Sequence, residues 1–95
     1  MASVRLLLQA EVEIEEAVAW YQARNARTAR RFKAAVAAAF GRIGTLPGLY
    51  APEAATQRLC PIPKSRYVLV YEYDPATDEV VIVALANPTQ DAPPW

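Results

Sequence analysis

A pair of glutamates, two groups of cations and a run of tyrosines are the residues of this 95-residue chain whose types and spacing invite a chemical reading. Glu13 and Glu16 stand one helical turn apart and could in principle share acid/base work. With Glu11 and Glu15 as neighbours on an amphipathic segment, they are expected instead to form a solvated helix face. Arg24, Arg27, Arg30, Arg31 and Lys33 make the first basic set. At about 100° per residue, Arg27 and Arg31 fall near each other, opposite the core side. A solvated face is the expectation for such a run, and a surface for an anionic partner is the alternative. Arg58, Lys64 and Arg66 make the second set, flanking Pro61-Ile62-Pro63 and leading into Tyr67, Tyr71 and Tyr73. Cations and rings converging on one sheet edge would hold an RNA backbone and stack a base. The β propensity of tyrosine favours ordinary sheet packing for these rings.

The absences narrow the chemistry. There is no His, which removes the commonest general base and metal ligand. Ser3 and Ser65 have no base nearby, and the three glycines form no phosphate-cradling motif. No metal and no cofactor is expected. The single Cys60 permits no internal disulfide, so a reducing cytoplasm is the expected setting, with Cys60 as a buried apolar thiol. Ten Lys+Arg balance ten Asp+Glu, so any attraction to a polyanion must be local. The longest apolar runs, Ala34 to Phe40 and Val80 to Ala86, fall far short of the roughly 20 residues a membrane span needs. Glutamates follow the opening leucines too soon for a signal peptide. A hydrophobic content of 54% in this length predicts one domain over residues 1–95.

Positioning these residues requires the following elements. Val4 to Leu8 reads as a short strand buried on both faces. From Ala10 the period becomes helical, with Ala10, Ile14, Ala17 and Tyr21 in one narrow arc. Asn25 is a candidate N-cap for a second helix, so the two helices form a hairpin. Ala29, Phe32, Val36, Ala39, Phe40 and Ile43 give the second helix an apolar face about 100° wide. It is expected to end near Gly44, before Leu46-Pro47-Gly48. Leu49 to Ala55 reads as an irregular connection. Gln57 to Cys60 is a brief or edge strand, because Pro61 and Pro63 lack amide donors. Arg66 to Tyr73 and Val80 to Ala86 form an antiparallel hairpin around Asp74 to Asp78. The predicted class is α+β, order β-α-α-β-β-β, a helical hairpin on one face of a mostly antiparallel sheet.

Two tryptophans stand apart from this frame. Trp20 falls about 60° or more off the apolar stripe, so its ring belongs at the rim, as lateral packing or as a partner anchor. Trp95 follows Pro93-Pro94, a stiff extended arm. Its ring is expected to fold back against the sheet near Tyr67 or Tyr71.

Taken in order, these segments resemble the RelE/ParE toxin superfamily of type II toxin-antitoxin modules. The resemblance runs through Ala10-Glu11, Ile14-Glu15-Glu16, Trp20-Tyr21, the segment Arg24 to Phe32 and Leu46-Pro47-Gly48. It continues in Arg58-Leu59, Arg66-Tyr67, Tyr71, the strand Val80 to Leu85 and the closing Trp. Some members cleave ribosome-bound mRNA, and ParE-like members inhibit DNA gyrase without being nucleases. The chain departs from the family in its tail. Asn87 stands where many relatives have His, and Thr89 and Gln90 replace arginines before Asp91. Cleavage by 2′-OH attack needs a base and cations for the phosphorane charge, whereas Asp74 to Trp95 holds four acidic residues and no basic one. The ParE-like branch is therefore favoured: a toxin that acts by binding DNA gyrase and is neutralised by a cognate antitoxin in a hetero-oligomer. The partner-binding candidates are Trp20, Arg27, Arg31, Tyr71 and Trp95. The alternatives are a ribosome-dependent endoribonuclease using Arg58, Lys64, Arg66 and Tyr67 on mRNA, or a degenerate, non-toxic member.

Overall fold

In the computed structural model the described residues are 2–48, 50, 52–54 and 57–87. They form β1 (Ser3–Leu6), α1 (Leu8–Arg24), α2 (Ala26–Thr45), β2 (Pro52–Ala54), β3 (Gln57–Pro61), β4 (Val68–Asp74) and β5 (Glu79–Ala86). The sheet runs β1-β5-β4-β3-β2, parallel between β1 and β5 and antiparallel elsewhere. This is the predicted α+β order with one added strand, since β2 lies within the stretch expected to be irregular.

Asn25 alone joins the two helices. Its backbone N–H donates to the Tyr21 carbonyl at 2.7 Å, closing α1, and its side-chain oxygen accepts from the Thr28 N–H at 3.1 Å, opening α2. One residue thus satisfies groups at both helix ends, the role expected of an N-cap asparagine. The apolar face of α2 then packs on the sheet through Ala29, Phe32, Val36, Ala39 and Ile43, all buried. Across it lie Cys60, Leu69, Tyr71, Val80, Ile82 and Leu85 from the inner face of the sheet.

Strand parity explains this inner face, with one adjustment. Leu69 faces Leu85 and Tyr71 faces Ile82, so a bulge at Val83 keeps Ile82 and Leu85 both inward although they are three residues apart. At the hairpin tip the Asp74 carboxylate accepts the Ala76 N–H at 2.9 Å, and Asp78 takes a positive φ of 55°, a conformation Asp tolerates.

Several expected boundaries and environments change. The first strand is at the sheet edge, with Ser3 and Arg5 exposed and Val4 and Leu6 half-buried, so it is covered on one face and not on both. Leu7 and Leu8 are exposed, and the helix begins at Leu8 rather than Ala10. β3 is not an edge strand: it lies between β2 and β4. Among the described residues β2 pairs only with Gln57 and Arg58 and no strand lies on that side of Pro61, a position where proline is tolerated. Arg66 and Tyr67 precede β4 in a loop, where the Tyr67 carbonyl accepts the Ile62 N–H at 3.0 Å. Cys60 is fully buried as expected, but its sulfur lies 4.0 Å from the Arg42 guanidinium, so its setting is not wholly apolar.

Candidate functional site

The end of β5 outruns β1. Pairing between them stops at Ile82, whose carbonyl accepts the Leu7 N–H at 3.0 Å before the chain turns into α1. The N–H of Leu85 therefore lacks a strand neighbour on that side. Glu13 supplies the acceptor, its Oε1 lying 3.0 Å from the Leu85 nitrogen. The sequence reading placed Glu13 in solvent with Glu16; instead it is half-buried and completes a sheet edge. Its spacing carried a signal, since Glu13 stands three residues after Ala10 and four before Ala17, both in the core.

Around this contact opens a groove of ≈ 300 Å³ lined by Glu13, Glu16, Ala17, Trp20, Tyr67, Leu85 and Asn87. It brings together three residues singled out for different reasons: Trp20 as a partner anchor, Tyr67 as a catalytic candidate and Asn87 at the position of the family His. Asn87 is buried at 5% exposure, whereas Trp20 is 43% exposed. One face of the indole carries the Arg24 guanidinium at 3.7 Å, and Tyr21 meets it edge-on at 5.2 Å. Trp20 is thus a rim residue, partly packed and partly presented. Tyr67 packs with Tyr21 and Phe32, its centroid 6.2 Å and 5.5 Å from theirs. The groove lining carries two carboxylates and no cation.

Of the other proposed catalytic residues, Arg58 lies away from Tyr67. Arg58 pairs in register with Tyr71 at one end of β3, while the Pro61–Val68 pair marks the end nearer Tyr67, three residues and about 10 Å away. The Arg58 side chain donates to the Tyr50 carbonyl at 2.6 Å, and its buried Nε has no hydrogen-bond partner. Lys64 and Arg66 are exposed on the loop before β4, Lys64 with a positive φ of 59°. Arg58 is thus held at the far end of β3 by its bond to Tyr50, while Lys64 and Arg66 share the loop with Tyr67.

Tyr71 also differs from expectation. It is fully buried and its hydroxyl donates to the Pro47 carbonyl at 2.9 Å, tying β4 to the end of α2. Burial raises its pKa above the ordinary tyrosine value, opposed in part by the nearby positive charge of Arg58. In this conformation it offers nothing to a partner. Arg27 and Arg31 are exposed on α2, as expected. Asn87 is the last described residue, so Gln90, Asp91 and Trp95, with the expected docking of the Trp95 ring, lie outside the described residues.

A second concavity runs along the outside of the helical hairpin. It measures ≈ 460 Å³ and is walled mainly by Ile14, Val18, Ala19, Val36, Ala37 and Phe40, with Glu15, Gln22 and Lys33 also on its lining. Of these residues, sequence periodicity placed Ile14, Val36 and Phe40 on the faces turned to the domain's own core, and it left Val18, Ala19 and Ala37 unassigned. Among the described residues, no group of three or more potential ligands could hold a metal ion, and no helix is long and apolar enough to cross a membrane.

No curated protein matches the chain. A family model described as the ParE toxin of type II toxin-antitoxin system, parDE, matches residues 4–91, which takes in every strand and helix from Val4 onward. With the helical hairpin on its mixed sheet, the chain belongs to the ParE toxin family of type II toxin-antitoxin systems.

Proposed function

We propose that this toxin acts by binding a protein target, with DNA gyrase the candidate its family suggests, and that a cognate antitoxin neutralises it in a hetero-oligomer. The observation that carries the reading is the groove at the end of β5, where Glu13 and Glu16 stand beside Asn87 and Tyr67 without a cation. A phosphodiester entering it would meet like charge, and no cationic side chain on the described lining would neutralise a phosphorane. The apolar hairpin groove supports the antitoxin part. An amphipathic helix laid along it would bury apolar surface against Ile14, Val18 and Phe40. Trp20 lines the groove at the end of β5, on the other side of α1, where an antitoxin segment continuing past the hairpin would meet its half-exposed ring as an anchor.

The test sets two assays side by side. The purified chain is expected to inhibit gyrase supercoiling and to leave mRNA intact in a reconstituted translation reaction. Cleaved mRNA with unaffected gyrase would replace this reading with the endoribonuclease one. Absence of both, with no growth arrest on expression without antitoxin, would identify a degenerate member.

A further inference from the structure

The zero net charge conceals a strong separation of charge along the chain. Between Glu16 and Glu53 there is no acidic residue, yet this stretch holds Arg24, Arg27, Arg30, Arg31, Lys33 and Arg42. Between Glu53 and Glu72 there is again none, and Arg58, Lys64 and Arg66 fall there. The fold gathers part of these cations. Arg31 on α2 and Lys64 on the loop before β4 line one cleft of ≈ 200 Å³, together with Thr28, Ser65 and the rings of Tyr21 and Phe32. Arg27 precedes Arg31 by one helical turn, about 6 Å along the axis. Arg27, Arg30, Arg31, Lys64 and Arg66 are all exposed. None of the five has a carboxylate partner among the described residues. The first turns of α2, which hold no acidic residue, add the positive end of the helix dipole. Eight of the ten acidic residues lie elsewhere, Glu11, Glu13, Glu15 and Glu16 on α1 and Glu72, Asp74, Asp78 and Glu79 around the β4–β5 turn; the side chains of Glu53 and Asp91 lie outside the described residues.

We infer that this basic pole, centred on the Arg31–Lys64 cleft, binds the phosphate backbone of duplex DNA without reading its sequence. Several exposed cations, with no carboxylate paired to them among the described residues, match a polyanion carrying closely spaced phosphates better than a single carboxylate. Among the described residues the patch presents no exposed ring on which a single strand would stack. Tyr21, Phe32 and Tyr67 pack on one another, and Arg24 covers a face of Trp20. The contact is distinct from the acidic groove and goes beyond the protein-target reading.

The test is fluorescence anisotropy of a labelled random-sequence duplex with the purified chain, from 25 to 200 mM salt. If about four phosphates are neutralised, log K falls against log salt with a slope of about −3.6, and sequence has no effect. The exposed-site double variant Arg31→Ala/Lys64→Ala should fold normally by circular dichroism, weaken binding about tenfold or more and bring the slope to about −1.8. Arg5→Ala, beside Glu72, Asp74 and Glu79 at the other pole, should change neither. No binding at the lowest salt, an unchanged slope in the double variant, or tighter binding of polyglutamate of equal charge would each overturn the proposal.

Discussion

Glu13 on α1 accepts the backbone N–H of Leu85 on β5 at 3.0 Å, a contact between residues 72 apart in sequence. A hydrogen bond to a charged group contributes about 1.5–3 kcal/mol, and Leu85 is 5% exposed, so water replaces the acceptor poorly. Glu13→Ala is expected to cost about 1–3 kcal/mol in urea unfolding, and Glu13→Gln, which keeps an acceptor oxygen, clearly less. Equal and negligible losses for both would show that the contact contributes nothing to stability.

Asn25 closes one helix and opens the next, so its replacement acts at two helix ends. Asn25→Ala removes the acceptor for the Thr28 N–H and is expected to cost about 1 kcal/mol, lowering the melting temperature by roughly 4–8 °C. Asn25→Asp, which retains the acceptor, should melt close to the parent. Calorimetry on the three proteins decides the matter.

Tyr71 contributes a pH dependence. Its folded pKa is raised above the unfolded value near 10, chiefly by burial. A raised pKa means that the folded state holds the proton more tightly. The associated stability is complete below about pH 10 and is lost as pH rises through the folded pKa. Tyr71→Phe keeps the ring and loses the bond to Pro47. It should cost about 1 kcal/mol at pH 7, and its alkaline unfolding should be shallower than the parent's. Identical alkaline limbs would remove Tyr71 as their source.

Trp20 separates stability from partner binding. Its ring keeps the Arg24 and Tyr21 contacts while remaining 43% exposed, so Trp20→Ala is expected to cost only about 1–2 kcal/mol in folding. As an anchor for the antitoxin it should lose at least about 2 kcal/mol of binding, some 30-fold in Kd by titration calorimetry. A binding loss no larger than that of an exposed control on the same helix, such as Glu11→Ala, would leave Trp20 a packing residue only.

Local pattern in the sequence determined the helical hairpin, its Asn25 junction, the buried face of α2, the β4–β5 hairpin and the absence of His-based chemistry. Each of these depends on residues close in the chain: a 3.6-residue period, a capping side chain, alternation along a strand. Tertiary structure decided what depends on distant neighbours. β1 became a one-faced edge strand because its partner is β5, and Pro61 entered an interior strand because β2 stops short of it. Tyr71 lies inside because it falls on the inner face of the sheet, where its hydroxyl reaches the Pro47 carbonyl, and Glu13 is a structural acceptor because β5 extends past β1. The four acids and the cations are plain in the sequence, but only the fold sets Glu13 and Glu16 beside Asn87, or Arg31 across a cleft from Lys64. A side chain's charge is local information, whereas its field and its partner depend on which segments the sheet brings together.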